Sequence, residues 1–83
     1  MPKITIYTTT TCPFCKMQKE YLKSKNIDFL EILVDENPEE AQKMIELSGQ
    51  LGVPFTVITK DDGSVDKILG FDKVRLDSVL GIN

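Results

Sequence analysis

Two cysteines three positions apart, Cys12-Pro13-Phe14-Cys15, stand where an alternating β-branched run gives way to a helical pattern. That junction restricts the folds open to the chain. Upstream, Lys3 to Thr8 places Ile4 and Ile6 on one side of a strand. Thr9-Thr10-Thr11 reads as a polar loop. Pro13 suits the first position of a helix, where its missing N–H is not needed. The helix is expected to run to about Lys25, with Phe14, Met17, Tyr21 and Leu22 recurring at helical spacing and Asn26 as the stop. The cysteines therefore fall at the start of a helix that follows directly on the end of a strand.

The rest of the chain supplies partners for that unit. Asp28 to Val34 reads as a second, largely buried strand. Asn37-Pro38-Glu39-Glu40 reads as a helix start, with Asn37 as cap and Glu40 completing a capping box. Ala41, Met44, Ile45 and Leu47 follow, and Gly49 stops the helix. Phe55 to Thr59 and Val65 to Leu69 are strands joined through Asp61-Asp62-Gly63-Ser64, an antiparallel hairpin. Asp72 caps a last short helix that ends near Gly81. The order strand, helix, strand, helix, strand, strand, helix predicts a mixed four-stranded sheet flanked by three helices, an α/β fold. Its first two strands should be parallel through a right-handed crossover.

Composition narrows the function. With 83 residues, 41% of them hydrophobic, the chain suits one domain, 1–83, with one modest core. A net charge of −3 argues against nucleic acid as the main partner. No apolar run approaches the roughly 20 residues a membrane span needs. The N-terminus enters a strand without a signal-peptide core, so the expected location is the cytoplasm. Nothing in the sequence calls for an oligomer, and a monomer is expected. There are two cysteines and no histidine. Secreted disulfide scaffolds carry more cysteines, and a closed zinc site needs four ligands, so a thiol chemistry is the better reading.

The position of the pair supplies that chemistry. A helix N-terminus offers unpaired N–H groups and about half a positive charge, and both favour a thiolate at Cys12. Lys16 and Lys19 add positive charge in the same helix. Cys12 is then the attacking thiolate, and Cys15, inside the first turn, resolves the mixed disulfide. Pro13 stiffens the loop, and Phe14 is placed to form part of a substrate rim. Rival readings are a passive disulfide, a cluster or metal shared between two chains, and a redox-inert interaction domain. Pro54 reads from the residues alone either as the opening of an edge strand or as a turn residue with a role at the site.

Cys12-Pro13-Phe14-Cys15, Gly52-Val53-Pro54 and Gly70-Phe71-Asp72 together resemble the glutaredoxin family, and in particular its short bacterial and archaeal members. The three motifs match in order and span essentially the whole chain. The resemblance implies a thioredoxin-like fold and thiol–disulfide exchange on protein or low-molecular-weight disulfides. It implies a cis Val53–Pro54 bond whose backbone pairs with an extended substrate, and a ligand-positioning segment at Gly70, Phe71 and Asp72. No bound cofactor is implied, with glutathione as a possible co-substrate. Two departures bear on the electron donor. Thr9 stands where glutathione-using members often have lysine, and Asp72 is followed by Lys73 where many members have a second acid. Gln50 is the candidate for the arginine or glutamine that such members often carry near the end of the second helix, and Lys73 the candidate to replace the missing positive charge. A thioredoxin-reductase-type flavoprotein is the alternative donor. Tyr7 is a further candidate for lining the site, and Met17 and Met44 are read as core filler.

Overall fold

The computed structural model describes residues 2–49 and 52–81. Seven elements follow one another: β1 (Lys3–Thr8), α1 (Pro13–Ser24), β2 (Leu30–Leu33), α2 (Pro38–Ser48), β3 (Phe55–Thr59), β4 (Val65–Leu69) and α3 (Lys73–Leu80). The strands form one sheet in the order β2-β1-β3-β4. β1 and β2 are parallel, while β1 with β3 and β3 with β4 are antiparallel. This is the element order and mixed sheet expected from the sequence.

The pleat of the sheet divides the core in two. Alternate residues of a strand face opposite sides. Ile4 and Ile6 of β1, Ile58 of β3 and Ile68 of β4 face Leu22 of α1 and Leu76 of α3. Tyr7 and Phe55 face the other way and pack with Val34 and Met44 of α2. Helices α1 and α3 thus cover one face, and α2 the other. The sequence signals that hold best are local ones. Asn26 adopts a left-handed φ of 58° and ends α1, with its N–H donating to the Lys23 carbonyl at 3.0 Å. Gly49, at φ 80°, ends α2. Asp62 accepts from the Ser64 N–H at 2.9 Å and so closes the β3–β4 turn.

Three expectations need correction. β2 begins at Leu30 and is not largely buried: it lies at a sheet edge, and Leu30 is 55% exposed. A short edge strand has one hydrogen-bonding neighbour and one open flank, which an apolar run in sequence does not reveal. Asn37 does not cap α2 with its side chain. Its amide instead donates to the Leu33 carbonyl at 2.9 Å, so it ties the end of β2 to the helix start. The apolar face of α1 is also rotated from the expected one. Its buried stripe is Cys15, Gln18 and Leu22, whereas Phe14 and Met17 are more than half-exposed or nearly so. Met44 is core filler as expected, and Met17 is not.

The rotation gives a test. Leu22→Ala should cost about 2–5 kcal/mol, the range for truncating a buried leucine. Met17→Ala should stay within about 0.5 kcal/mol of the parent, as a surface change does. Urea unfolding of the two variants checks this, and equal losses would contradict the orientation of α1.

Candidate active site

Cys12 is the N-cap of α1, with extended backbone (φ −88°, ψ 111°). Its sulfur does the work of a capping oxygen. The Cys15 N–H donates to Cys12 Sγ at 3.2 Å. One of the four unpaired N–H groups of the helix start is thereby satisfied by the reactive atom itself. No acidic residue lies in the first turn to oppose a negative sulfur. Cys15 is 1% exposed, and Cys12 is partly accessible. Both thiols are free. Burial pushes the Cys15 thiol up to about 12, and its contact with the Cys12 side chain adds to the rise; Lys19 and the Thr9 backbone oppose it. The two sulfurs are therefore unequal, one accessible at a helix end and one buried and held protonated.

The second motif meets the first from across the sheet. Val53–Pro54 is a cis peptide. The Val53 carbonyl oxygen lies 3.9 Å from Cys12 Sγ and accepts from its thiol. Gly52 stands where the related motif carries threonine. A Cβ there would sit 3.4 Å from Leu69 Cδ1, in contact with that side chain of β4. The third motif is tied to the second by the Gly70 N–H, which donates to the Pro54 carbonyl at 2.7 Å. Gly70 adopts φ 79°, a conformation that other residues rarely take. Asp72 is the N-cap of α3 and accepts from the Arg75 N–H at 3.1 Å. The structure thus brings Cys12, Val53, Pro54 and Gly70 into one connected chain of contacts.

Other candidates are placed elsewhere. Phe14 is 59% exposed beside the cysteines, as a rim residue would be, and Pro13 opens the helix. The Phe71 ring packs against Tyr21 at 6.1 Å between centroids, so its side chain has a packing role. Tyr7 is buried and stacked on Phe55 at 6.0 Å. Lys73 is engaged on its own helix and on α1. It bonds Asp77 at 3.1 Å and lies over the Tyr21 ring, with Nζ 5.1 Å from the centroid. Gln50 lies outside the described residues.

Two pockets meet at Thr9. One, of about 330 Å³, is lined among the described residues by Thr9, Val34, Asp35, Ala41, Gly52 and Val53. The other, of about 290 Å³, holds Cys12 with Lys16, Lys19 and Glu31 on its walls. Asp35 anchors the wall between them by accepting from Thr10 Oγ1 at 2.6 Å and from the Thr10 N–H at 3.1 Å. These two bonds hold its carboxyl below the usual carboxylate range. Glu31 is pushed up by burial, but bonds from Lys19 and Thr8 outweigh that and leave it lowered.

The sequence reading missed three polar contacts that frame the site: Thr10 with Asp35, the Thr8–Glu31–Lys19 series, and Gln18 with Thr56. Only the last left a trace. A stripe counted from Cys15 at helical spacing passes through Gln18 before Leu22. Thr10–Asp35 and Thr8–Glu31 join residues 25 and 23 positions apart, with no spacing pattern between them.

The burial difference predicts selective alkylation. Iodoacetamide should modify Cys12 in the folded protein, with Cys15 following only on unfolding, as read by mass spectrometry. The same asymmetry has a pH consequence. The folded Cys15 thiol titrates above its unfolded value of 9.0. Its contribution to stability is therefore complete below pH 9 and is lost as pH rises toward about 12. Cys15→Ala should show a shallower alkaline loss of stability in urea titrations across that range.

The comparisons with known proteins agree with this geometry. A family model described as Glutaredoxin matches residues 4–62. A glutaredoxin-like 8.6 kDa protein from the rubredoxin operon of Clostridium pasteurianum, itself uncharacterised, is 48% identical over 77 residues, covering 93% of this chain and 96% of that one. The glutaredoxin-like protein NrdH of Lactococcus lactis subsp. cremoris is 46% identical over 59 residues, 71% of this chain and 78% of that one. Among solved structures, the glutaredoxin from Archaeoglobus fulgidus superposes with a TM-score of 0.76 at 30% identity, covering 96% of this chain and 87% of that one.

Proposed function

The chain belongs to the glutaredoxin family of thiol–disulfide oxidoreductases, with a thioredoxin-like fold, and from that premise we propose that it reduces protein or low-molecular-weight disulfides by dithiol exchange at Cys12 and Cys15. The observation that carries the reading is the inequality of the two sulfurs. Cys12 is partly accessible and accepts a helix N–H, while Cys15 is buried one turn on. In the proposed cycle, Cys12 attacks one sulfur of the substrate and releases a thiol. Cys15 then attacks Cys12 and releases the second thiol, leaving a Cys12–Cys15 disulfide. An extended substrate would pair with the Val53 backbone at the strand edge opposite Cys12, with Phe14 at the rim and the Gly70–Asp72 segment positioning its polar end. The reaction belongs in the cytoplasm, where dithiols are kept reduced. No helix among the described residues is long and apolar enough to cross a membrane.

Substitution separates the two roles. Cys12→Ser should lower disulfide reductase activity to the uncatalysed background. Cys15→Ser should still form the mixed disulfide at Cys12, which mass spectrometry detects as a trapped adduct. Wild-type activity in Cys12→Ser would overturn the mechanism.

A second reading concerns the donor. The one charged side chain among the described residues lining the pocket beside Val53 is Asp35, and Lys73 is engaged on α3. A carboxylate of glutathione would find no cation among the described residues of that pocket; Lys16 and Lys19 line the neighbouring one with Cys12. This supports a thioredoxin-reductase-type flavoprotein as donor in preference to glutathione. The oxidised protein should be reduced rapidly by NADPH with such a reductase and slowly by glutathione. Fast, complete reduction by glutathione alone would reverse that preference.

A further inference from the structure

Three polar side chains are fully buried in this protein among the described residues: Thr8, Gln18 and Thr56. All three lie on the α1 side of the sheet. Thr8 shares its face of β1 with Ile4 and Ile6, and Thr56 shares its face of β3 with Ile58. Gln18 sits between Cys15 and Leu22 on the buried stripe of α1. Polar groups placed in a core need partners. Thr8 has one, Glu31 Oε2 at 2.8 Å. Thr56 and Gln18 have each other, with Gln18 Nε2 donating to Thr56 Oγ1 at 2.5 Å. Gln18 Oε1 has none, and it is the one buried side-chain polar atom left without a partner among the described residues. A primary amide has two polar ends, and Thr56 satisfies one.

The position of that spare acceptor is informative. Gln18 is three residues after Cys15. A long helical side chain leans toward the N-terminus, over the residue three or four positions before it. Thr56 anchors the amide at the start of β3, two residues past Pro54. Gln18 therefore leans along the buried stripe of α1 toward the turn that holds Cys15, with its amide anchored on Thr56. In the resting dithiol, the Cys15 side chain has the Cys12 side chain as its hydrogen-bonding neighbour. Once Cys12 is joined to a substrate sulfur, it is a poorer acceptor for the buried Cys15 S–H.

We propose that Gln18 is a positioning residue for the second half of the exchange, its free amide oxygen accepting from the Cys15 thiol while Cys12 is occupied. The inference rests on the dithiol reading above. In that step the Cys15 S–H bond breaks, the Cys15–Cys12 S–S bond forms and the bond from Cys12 to the substrate sulfur breaks. The proton ends on the departing thiolate, directly or through solvent. The two electrons that the substrate sulfurs gain over both steps come from the two protein thiols, so no other reactant is needed. Gln18 does not take the proton. It orients the thiol and compensates its burial.

The test uses the whole reduced protein and 5,5′-dithiobis(2-nitrobenzoate). Each molecule of protein releases one thionitrobenzoate on attack by Cys12 and a second on resolution by Cys15, so stopped-flow absorbance separates the steps. Gln18→Met keeps length and removes the acceptor. Gln18→Glu keeps an acceptor and adds a titratable group. Gln18→Met should slow the second phase by about tenfold, the worth of one hydrogen bond, and move its pH profile to lower pH, because an acceptor on the neutral thiol holds its ionisation up. Gln18→Glu should restore the rate and add a second ionisation to that profile. An unchanged second phase and profile in Gln18→Met would overturn the proposal. If Gln18→Met does not fold, Gln18→Glu decides alone, since a profile with a single ionisation would place residue 18 away from the thiol. Failure of the underlying reading looks different, because the wild type itself would then lack the second phase.

Discussion

The bond on which the site depends is the one from the Cys15 N–H to Cys12 Sγ. It makes one sulfur both the cap of α1 and the nucleophile. Capping and reactivity then pull in the same direction. A helix start is short of acceptors and carries partial positive charge, and a negative sulfur answers both needs better than a neutral one. Oxidation turns that sulfur from a thiol into half of a disulfide, so the redox state of the pair and the finish of the helix end are linked. The rest of the architecture holds this corner in place. β1 delivers the chain to it, Asp35 secures the preceding loop through Thr10, and the Val53 carbonyl meets the sulfur from the segment just before β3.

Behind that corner the protein keeps an unusual amount of polarity. Apolar contacts dominate the α1 and α3 face further along, with Ile4, Ile6, Leu22, Ile58 and Leu76 in one cluster. Toward the cysteines the same layer turns polar, through Gln18 with Thr56 and Thr8 with Glu31, which in turn pairs with Lys19 at 2.5 Å. A buried polar group costs stability unless it is satisfied, so a purely structural layer would favour apolar residues here. In the proposed exchange, the buried thiol that must lose a proton, Cys15, lies on the same helix stripe as Gln18. Lys19 acts in the same sense, since its charge lowers the proton affinity of Cys15 against the pull of burial.

What the sequence made legible was local. The strand–loop–helix around Cys12, the stop at Asn26, the turn through Gly63 and the cap at Asp72 each depend on neighbours in the chain, and each is found in place. The motif resemblance carried the one long-range contact of the site that was anticipated, Val53 with Cys12. What failed depended on which side a residue faces. Phe14 and Met17 share a helical spacing with Tyr21, but a neighbouring stripe beginning at Cys15 is the one the sheet covers. Leu30 sits in an apolar run, yet β2 ends the sheet and leaves it exposed. Asn37 has the right identity for a cap, and a nearer carbonyl, that of Leu33, takes its amide. In each case two local solutions were close in energy, and tertiary packing chose between them.

The same division separates chemistry from partner choice. The dithiol needs only a strand end, a helix start and the Val53–Pro54 edge, all of which are backbone geometry that many side-chain sets can build. Choice of donor is set by the few side chains around it. Thr9 borders both pockets and carries no charge, Asp35 faces the Val53 side, and Lys16 with Lys19 faces the Cys12 side beside Glu31. A ligand reaching Cys12 along the Val53 edge meets apolar walls and a carboxylate; one reaching it along α1 meets lysines. An acidic tripeptide gains nothing electrostatic from the first route, whereas a protein surface can supply apolar contacts there and leave its charges outside. That is why a chain with a glutaredoxin-like cysteine pair need not share the small-molecule donor that such a pair suggests.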